Sequence, residues 1–141
     1  MRIKEMVYDG SGNTEVLYQE SSGGYGLAVV NTRGSHPCGY ITFPGIEKLK
    51  SYDDIFLGND EEDFDVHGGF TYLGGLSKIG LKGVWLGWDY AHLGDWCQGV
   101  PPYADVFNHS NDTKYTTEDV AAEARVALRL IQEGKYELIA D

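Results

Sequence analysis

Four side chains in the middle of this chain have the types and spacing to do chemistry. The stretch WLGWDYAHLGDW, residues 85–96, places Asp89, His92 and Asp95 at intervals of three. DVHGGFTYL, residues 65–73, supplies His67. Mixed imidazole and carboxylate donors suit a divalent transition metal such as zinc, manganese or iron. Without an ion, the same groups can act as general base and general acid. The metal-ligand set expected here is therefore His67, Asp89, His92 and Asp95.

A wider ligand pocket follows from side-chain alternation along two expected strands, 65–73 and 82–90. With Val84, Leu86, Trp88 and Tyr90 on a helix-facing side, His67, Thr71 and Asp89 emerge together. Gly68, Gly69 and Gly87 leave a notch beside them, since glycine within a strand often marks close approach of a backbone or ligand. Trp85 is expected to wall the notch, with Tyr90 and Trp96 placed to stack on a base or sugar. The competing reading is structural. In it His67 bonds a turn carbonyl, Asp89 caps a turn, Asp95 holds the Gly94 corner, and Trp85 and Trp88 belong to the core. Asp-x-x-His-x-x-Asp alone does not decide between them.

Other chemistries have weaker support. Cys38 and Cys97 form no CxxC pair, so a zinc site built on them with a histidine is the lesser alternative, and no disulfide framework is implied. The run Asp53 to Asp65 carries seven acidic residues and no basic one. Its spacing is not that of a calcium loop, and it reads as a solvated loop. Neither a G-x-S-x-G elbow nor a GxxxxGK[ST] phosphate loop occurs.

The elements that must position these residues are mostly strands. IKEMVYDG and TEVLYQE flank Gly10-Ser11-Gly12-Asn13 and suggest a hairpin. Further strands are expected at about 25–31 and 38–43, and a short helical turn within 46–64. Residues 74–81 read as a connecting loop, and 97–115 as a long one, of the kind that tends to be functional in compact domains. The clear helix begins at Thr116 or Thr117. Its stripe is Val120, Ala124, Ala127, Leu128 and Ile131, and Gly134-Lys135 stops it. The expected fold class is α+β, one domain over 1–141, with an antiparallel sheet packed by one C-terminal helix.

Composition narrows the partners. With 141 residues the chain can bury one modest core. A net charge of −11 and the lack of any basic stripe argue against direct nucleic-acid binding. No apolar run is long enough to span a membrane. The first residues lack the apolar core of a secretory leader, so a cytoplasmic protein is expected. Exposed strand edges make self-association a further expectation.

Four segments occur in a telling order: CGY at 38–40, YDD at 52–54, DVHGGFTY at 65–72 and WLGWDYAHLGDW at 85–96, followed by a helix after KYTTEDV. Over roughly 36–132 the chain resembles a family of small bacteriophage and prophage proteins. Their pattern is CGY, then VHGG-x-T, then W-x-G-[aromatic]-D-x-A-H-x-G-D, then a terminal helix. Here the segment after Tyr40 is short, and Tyr90 stands where a small residue or cysteine is usual. The resemblance carries the functional candidates onto His67, Asp89, His92 and Asp95. It implies a phage accessory protein, working in the cytoplasm of an infected bacterium, that antagonises a bacterial defence system. The expected target is a defence protein or a nucleotide signal. A small metal-dependent hydrolase of phosphoesterase type is the alternative, so whether the chain is an enzyme stays open at this point.

Overall fold

A computed structural model describes residues 2–99 and 111–139. Five strands form one antiparallel sheet in the order β1-β2-β3-β6-β5, and β4 and β7 form a second, two-stranded sheet. The strands are β1 (Glu15–Ser22), β2 (Tyr25–Thr32), β3 (His36–Thr42), β4 (Ile55–Leu57), β5 (Tyr72–Leu76), β6 (Leu81–Asp89) and β7 (Tyr136–Leu138). Among the described residues, one α-helix, α1 (Thr117–Gln132), lies between β6 and β7 in the chain. The fold is α+β in a single domain, with the helix packed on the larger sheet. None of the described helices is long and apolar enough to cross a membrane.

The first hairpin is not where the turn cluster at Gly10 to Asn13 suggested. Residues 3–10 form no strand, and β1 instead pairs with β2 around Gly23-Gly24. Both of those glycines have positive φ, 59° and 86°, which a two-residue loop between twisted strands demands. The early segment still joins the sheet: Lys4 N–H donates to the Leu17 carbonyl at 2.9 Å, and Thr117 Oγ1 donates to the Lys4 carbonyl at 2.6 Å.

A second expectation also fails in part. Residues 65–71 are not a strand, because the chain turns at Gly68-Gly69, where Gly69 N–H bonds the Val66 carbonyl at 2.8 Å. Both glycines have left-handed φ, which no extended strand accommodates. The strand starts later, at Tyr72, and takes in the first three residues of the expected loop 74–81. Most of the long loop at 97–115 lies outside the described residues.

The core sits between the sheet and α1. Leu17, Leu27, Val29, Ile41, Leu86, Trp88 and Tyr90 face the helix residues Val120, Ala121, Ala124, Ala127 and Ile131. The small alanines let the helix approach closely, and apolar burial of this kind is the main favourable term in folding. The opposite face has its own buried cluster of Ala28, Val30, Leu81 and Trp85. That is why β2 is buried on both sides and reads as the unbroken apolar run LAVV. The helix starts with a reciprocal cap: Asp119 N–H donates to Thr116 Oγ1 at 3.1 Å, and Thr116 N–H to Asp119 Oδ2 at 2.9 Å.

Candidate functional site

The site forms where β6 ends. Asp89 pairs across the sheet with Cys38, and Tyr90 N–H reaches the Pro37 carbonyl at 3.2 Å. Beyond that the chain must turn, and each aspartate holds one turn. Asp89 Oδ1 accepts the Ala91 N–H at 3.1 Å, and Asp95 Oδ2 accepts the His92 N–H at 2.9 Å. The three-residue spacing in the sequence is thus two successive side-chain-closed turns. The second is pinned from outside, since Trp96 N–H bonds the Thr113 carbonyl and Thr113 N–H bonds the Gly94 carbonyl, both at 2.8 Å.

Three of the four expected ligands converge. His67 Nε2 lies 2.8 Å and 3.0 Å from the two Asp95 oxygens, and His92 Nδ1 lies 3.3 Å from Asp95 Oδ2. One donor atom from each of His67, His92 and Asp95 can be chosen so that all lie within 4.8 Å of one another. The Asp95 side chain is 4% exposed, against 26% for His67 and 38% for His92. The carboxylate is therefore the buried base of the cluster, and the imidazoles form its mouth.

Asp89 is not in the triplet. Its Oδ1 faces His92 Nε2 at 3.6 Å, on the far side of the ring from Asp95, and its Oδ2 accepts Thr71 Oγ1 at 3.3 Å. A carboxylate behind a ligating imidazole fixes the ring's tautomer and raises its basicity. Gly68 completes the cradle. A Cβ built there would fall 2.4 Å from His92 Cε1, so the imidazole occupies the space that any side chain at 68 would need. Gly69 supports the same turn without that close approach.

His67 is held by Tyr90, which the sequence offered as a stacking residue for a ligand, and by Tyr115 and Glu123, which it did not single out. Its ring stacks on Tyr90 with centroids 4.6 Å apart and planes 12° apart, and Tyr115 lies 5.1 Å away. Its backbone N–H donates a short hydrogen bond to Glu123 Oε1, from the helix. The Tyr90 hydroxyl accepts Trp88 Nε1–H at 3.0 Å. Burial pushes the Glu123 carboxyl above the usual carboxylate range, against the pull of the His67 N–H. Burial likewise raises the Tyr90 phenol, with Trp88 opposing. The signal for Glu123 in the sequence was faint: an acid one position from the apolar stripe at Ala124.

The remaining candidates lie elsewhere. Trp85 packs in the cluster on the opposite sheet face, with Nε1–H on the Lys82 carbonyl at 2.9 Å. It is four positions from Asp89, about 13 Å along a strand. It does not wall the site. The notch at Gly87 is filled by the Tyr40 ring, 2.5 Å from where a Cβ would lie. Trp96 follows Asp95 directly, and its ring is covered by Lys114 Nζ at 4.6 Å from the centroid. The cysteine-based site does not form among the described residues. The Cys38 thiol is buried beside Thr32 Oγ1 at 3.2 Å, and burial pushes it up to about 11, while Cys97 Sγ lies 3.7 Å from the Tyr90 carbonyl.

Among the described residues, two imidazoles and one carboxylate would make a three-ligand set, the number of protein ligands that catalytic metal sites commonly use. Without an ion, Asp95 is placed to orient the His67 ring, the arrangement a general base requires. Compared with family models, curated proteins and solved structures, the chain matches none of them.

Proposed function

We propose that this protein is a phage accessory protein that antagonises a bacterial defence system. It does so by acting, through a divalent transition metal, on a phosphate-bearing target of nucleotide type. His67, His92 and Asp95 hold the ion, Asp89 orients His92, and Glu123 and Tyr90 orient His67. The observation that carries the metal is the convergence of three donor atoms within 4.8 Å on a buried carboxylate. A metal in such a site supplies Lewis acidity and an activated water, which favours hydrolysis of a phosphoester. The phage context rests on the ordered motifs from CGY to the terminal helix. A second reading, capture of a target without turnover, is favoured by the net charge of −11, which suits a basic protein partner.

Elemental analysis of the purified chain tests the metal. About one transition-metal ion per chain is expected, lost in His92→Ala while the fold is retained. A folded, metal-free wild-type chain that takes up no added zinc, manganese or iron overturns this reading.

A further inference from the structure

The larger sheet has a second face, turned away from α1. Register puts Ala28, Tyr40, Gly87 and Tyr72 in one row across β2, β3, β6 and β5. Ala28 belongs to the buried cluster of that second face, and Tyr40 packs against it. The small residues leave room for the rings. Tyr40 lies over Gly87, and the Tyr40 and Tyr72 rings meet edge to face, with centroids 5.7 Å apart and planes at 87°. The Tyr72 hydroxyl donates to the Gly75 carbonyl, which fixes its ring further.

Beside this pair the chain builds a cavity of about 470 Å³. Val30, Tyr40, Tyr72, Leu76 and Ile79 form its apolar wall. They come from β2, β3, β5 and the turn Ser77–Ile79, which is closed by Gly80 N–H on the Ser77 carbonyl at 3.1 Å. None of the triplet residues His67, His92 and Asp95 lines it. An apolar cavity of a few hundred Å³ with a few convergent polar groups is the usual form of a small-molecule site.

The polar groups indicate what it takes. Lys78 is the only charged residue on the lining. Lys4, Arg125, Arg129 and Lys135 are each paired with a glutamate, whereas among the described residues no carboxylate pairs with Lys78. That is a base left unpaired in a chain with 22 acids against 11 bases. Thr14, also on the lining, accepts the Arg33 N–H on Oγ1 at 3.2 Å, so its own O–H is left to donate. Asp89, an acid on the same face, lines a neighbouring depression with Cys38, Thr71 and the two tyrosines. The tyrosine pair thus has an acid on one side and a base on the other, and an anionic group is drawn to the Lys78 end.

We propose that this cavity is a binding site for a small aromatic monoanion, with its ring against Tyr40 and Tyr72 and its anionic oxygens on Lys78. The rings favour a flat apolar body, and the single cation admits one charged group. The site is separate from the metal triplet and needs no ion.

Three probes with one ring system test this: indole-3-acetate, indole-3-acetamide and tryptamine, which carry a negative, a neutral and a positive group. Each is titrated into the methyl-labelled full chain and followed at Val30, Leu76 and Ile79. Indole-3-acetate should shift these methyls and bind about tenfold more tightly than the amide, with tryptamine weaker still. Lys78→Gln, in an exposed turn, should abolish that tenfold preference and leave the affinity for the amide unchanged. Tyr72→Leu, checked by its melting temperature, should weaken the acetate and the amide alike by several-fold. A chelator should change neither affinity, which separates this cavity from the triplet. The proposal is overturned if millimolar indole-3-acetate leaves the three methyls unshifted, if the three probes bind equally, or if the preference for the acetate survives Lys78→Gln.

Discussion

At the scale of residues, each imidazole of the triplet is fixed from two sides. Asp95 and Asp89 bracket His92, and Asp95 and the Tyr90 ring bracket His67. Glu123 anchors His67 through its backbone and so acts on the site without touching a ligand atom. Glu123→Gln keeps an acceptor for that N–H and should keep metal affinity near wild type. Glu123→Ala should weaken cobalt binding by roughly 10–100-fold, the usual cost of losing an outer support. Cobalt absorption titration reads this directly. A drop in melting temperature with unchanged cobalt affinity would reduce Glu123 to a purely structural residue. His67, His92 and Asp95 could be read from the sequence because their types and spacing are chemical. Glu123 could not, because its distance to His67 is a property of helix packing. Asp89 showed its chemistry but not its place: a strand-end residue and one three positions later face each other only once the turn between them is known.

At the scale of elements, legibility followed the strength of the local signal. The helix was plain, since its stripe and its cap agree. The capping box should have a measurable effect: Thr116→Ala removes one of its two bonds and is expected to cost about 1 kcal/mol. That corresponds to a fall of about 3 °C in melting temperature for a chain of this size. Thr117→Ala, by contrast, would test the buried bond that ties residue 4 to the helix. β2, β3 and β6 were legible as apolar runs, and the structure adds that β2 is buried on both faces. The stretch at 65–71 failed because alternation is blind to φ. Val66 and Phe70 look like strand residues, but the glycines between them turn the chain. β4 and β7 were invisible for another reason. Three residues cannot show a period, and their pairing joins segments some eighty positions apart.

At the scale of the whole molecule, charge and burial set the response to pH. His36, at the start of β3, is buried, and that burial holds its imidazole below the ordinary value. Asp89 and Asp95 pull it up, while Arg33 and His92 push it down. The sign follows from linkage. Above the ordinary imidazole value of 6.5, both folded and unfolded chains hold it neutral and stability is complete. As the pH falls through that value, the unfolded chain takes up a proton that the folded chain resists, and stability is lost until the lowered folded value is passed. Melting temperature measured between about pH 7.5 and pH 5 should decline. His36→Gln should flatten part of that decline, and an unchanged slope would assign it to other groups.

The triplet takes one histidine from the Gly68 turn and its other two members from the end of β6, and Glu123 from the helix steadies it. His67 and the end of β6 come together in the local β5–β6 hairpin, yet the cluster is anchored only when Glu123 of the helix reaches His67 from 56 positions along the chain. Such pairings of high contact order form late, because loop-closure entropy is spent before they repay it. The cluster is therefore a reporter of completed folding. An ion captured there would leave the rate of folding nearly untouched and slow the rate of unfolding. The time a chain survives in its native state, more than its equilibrium stability, is what the metal would set.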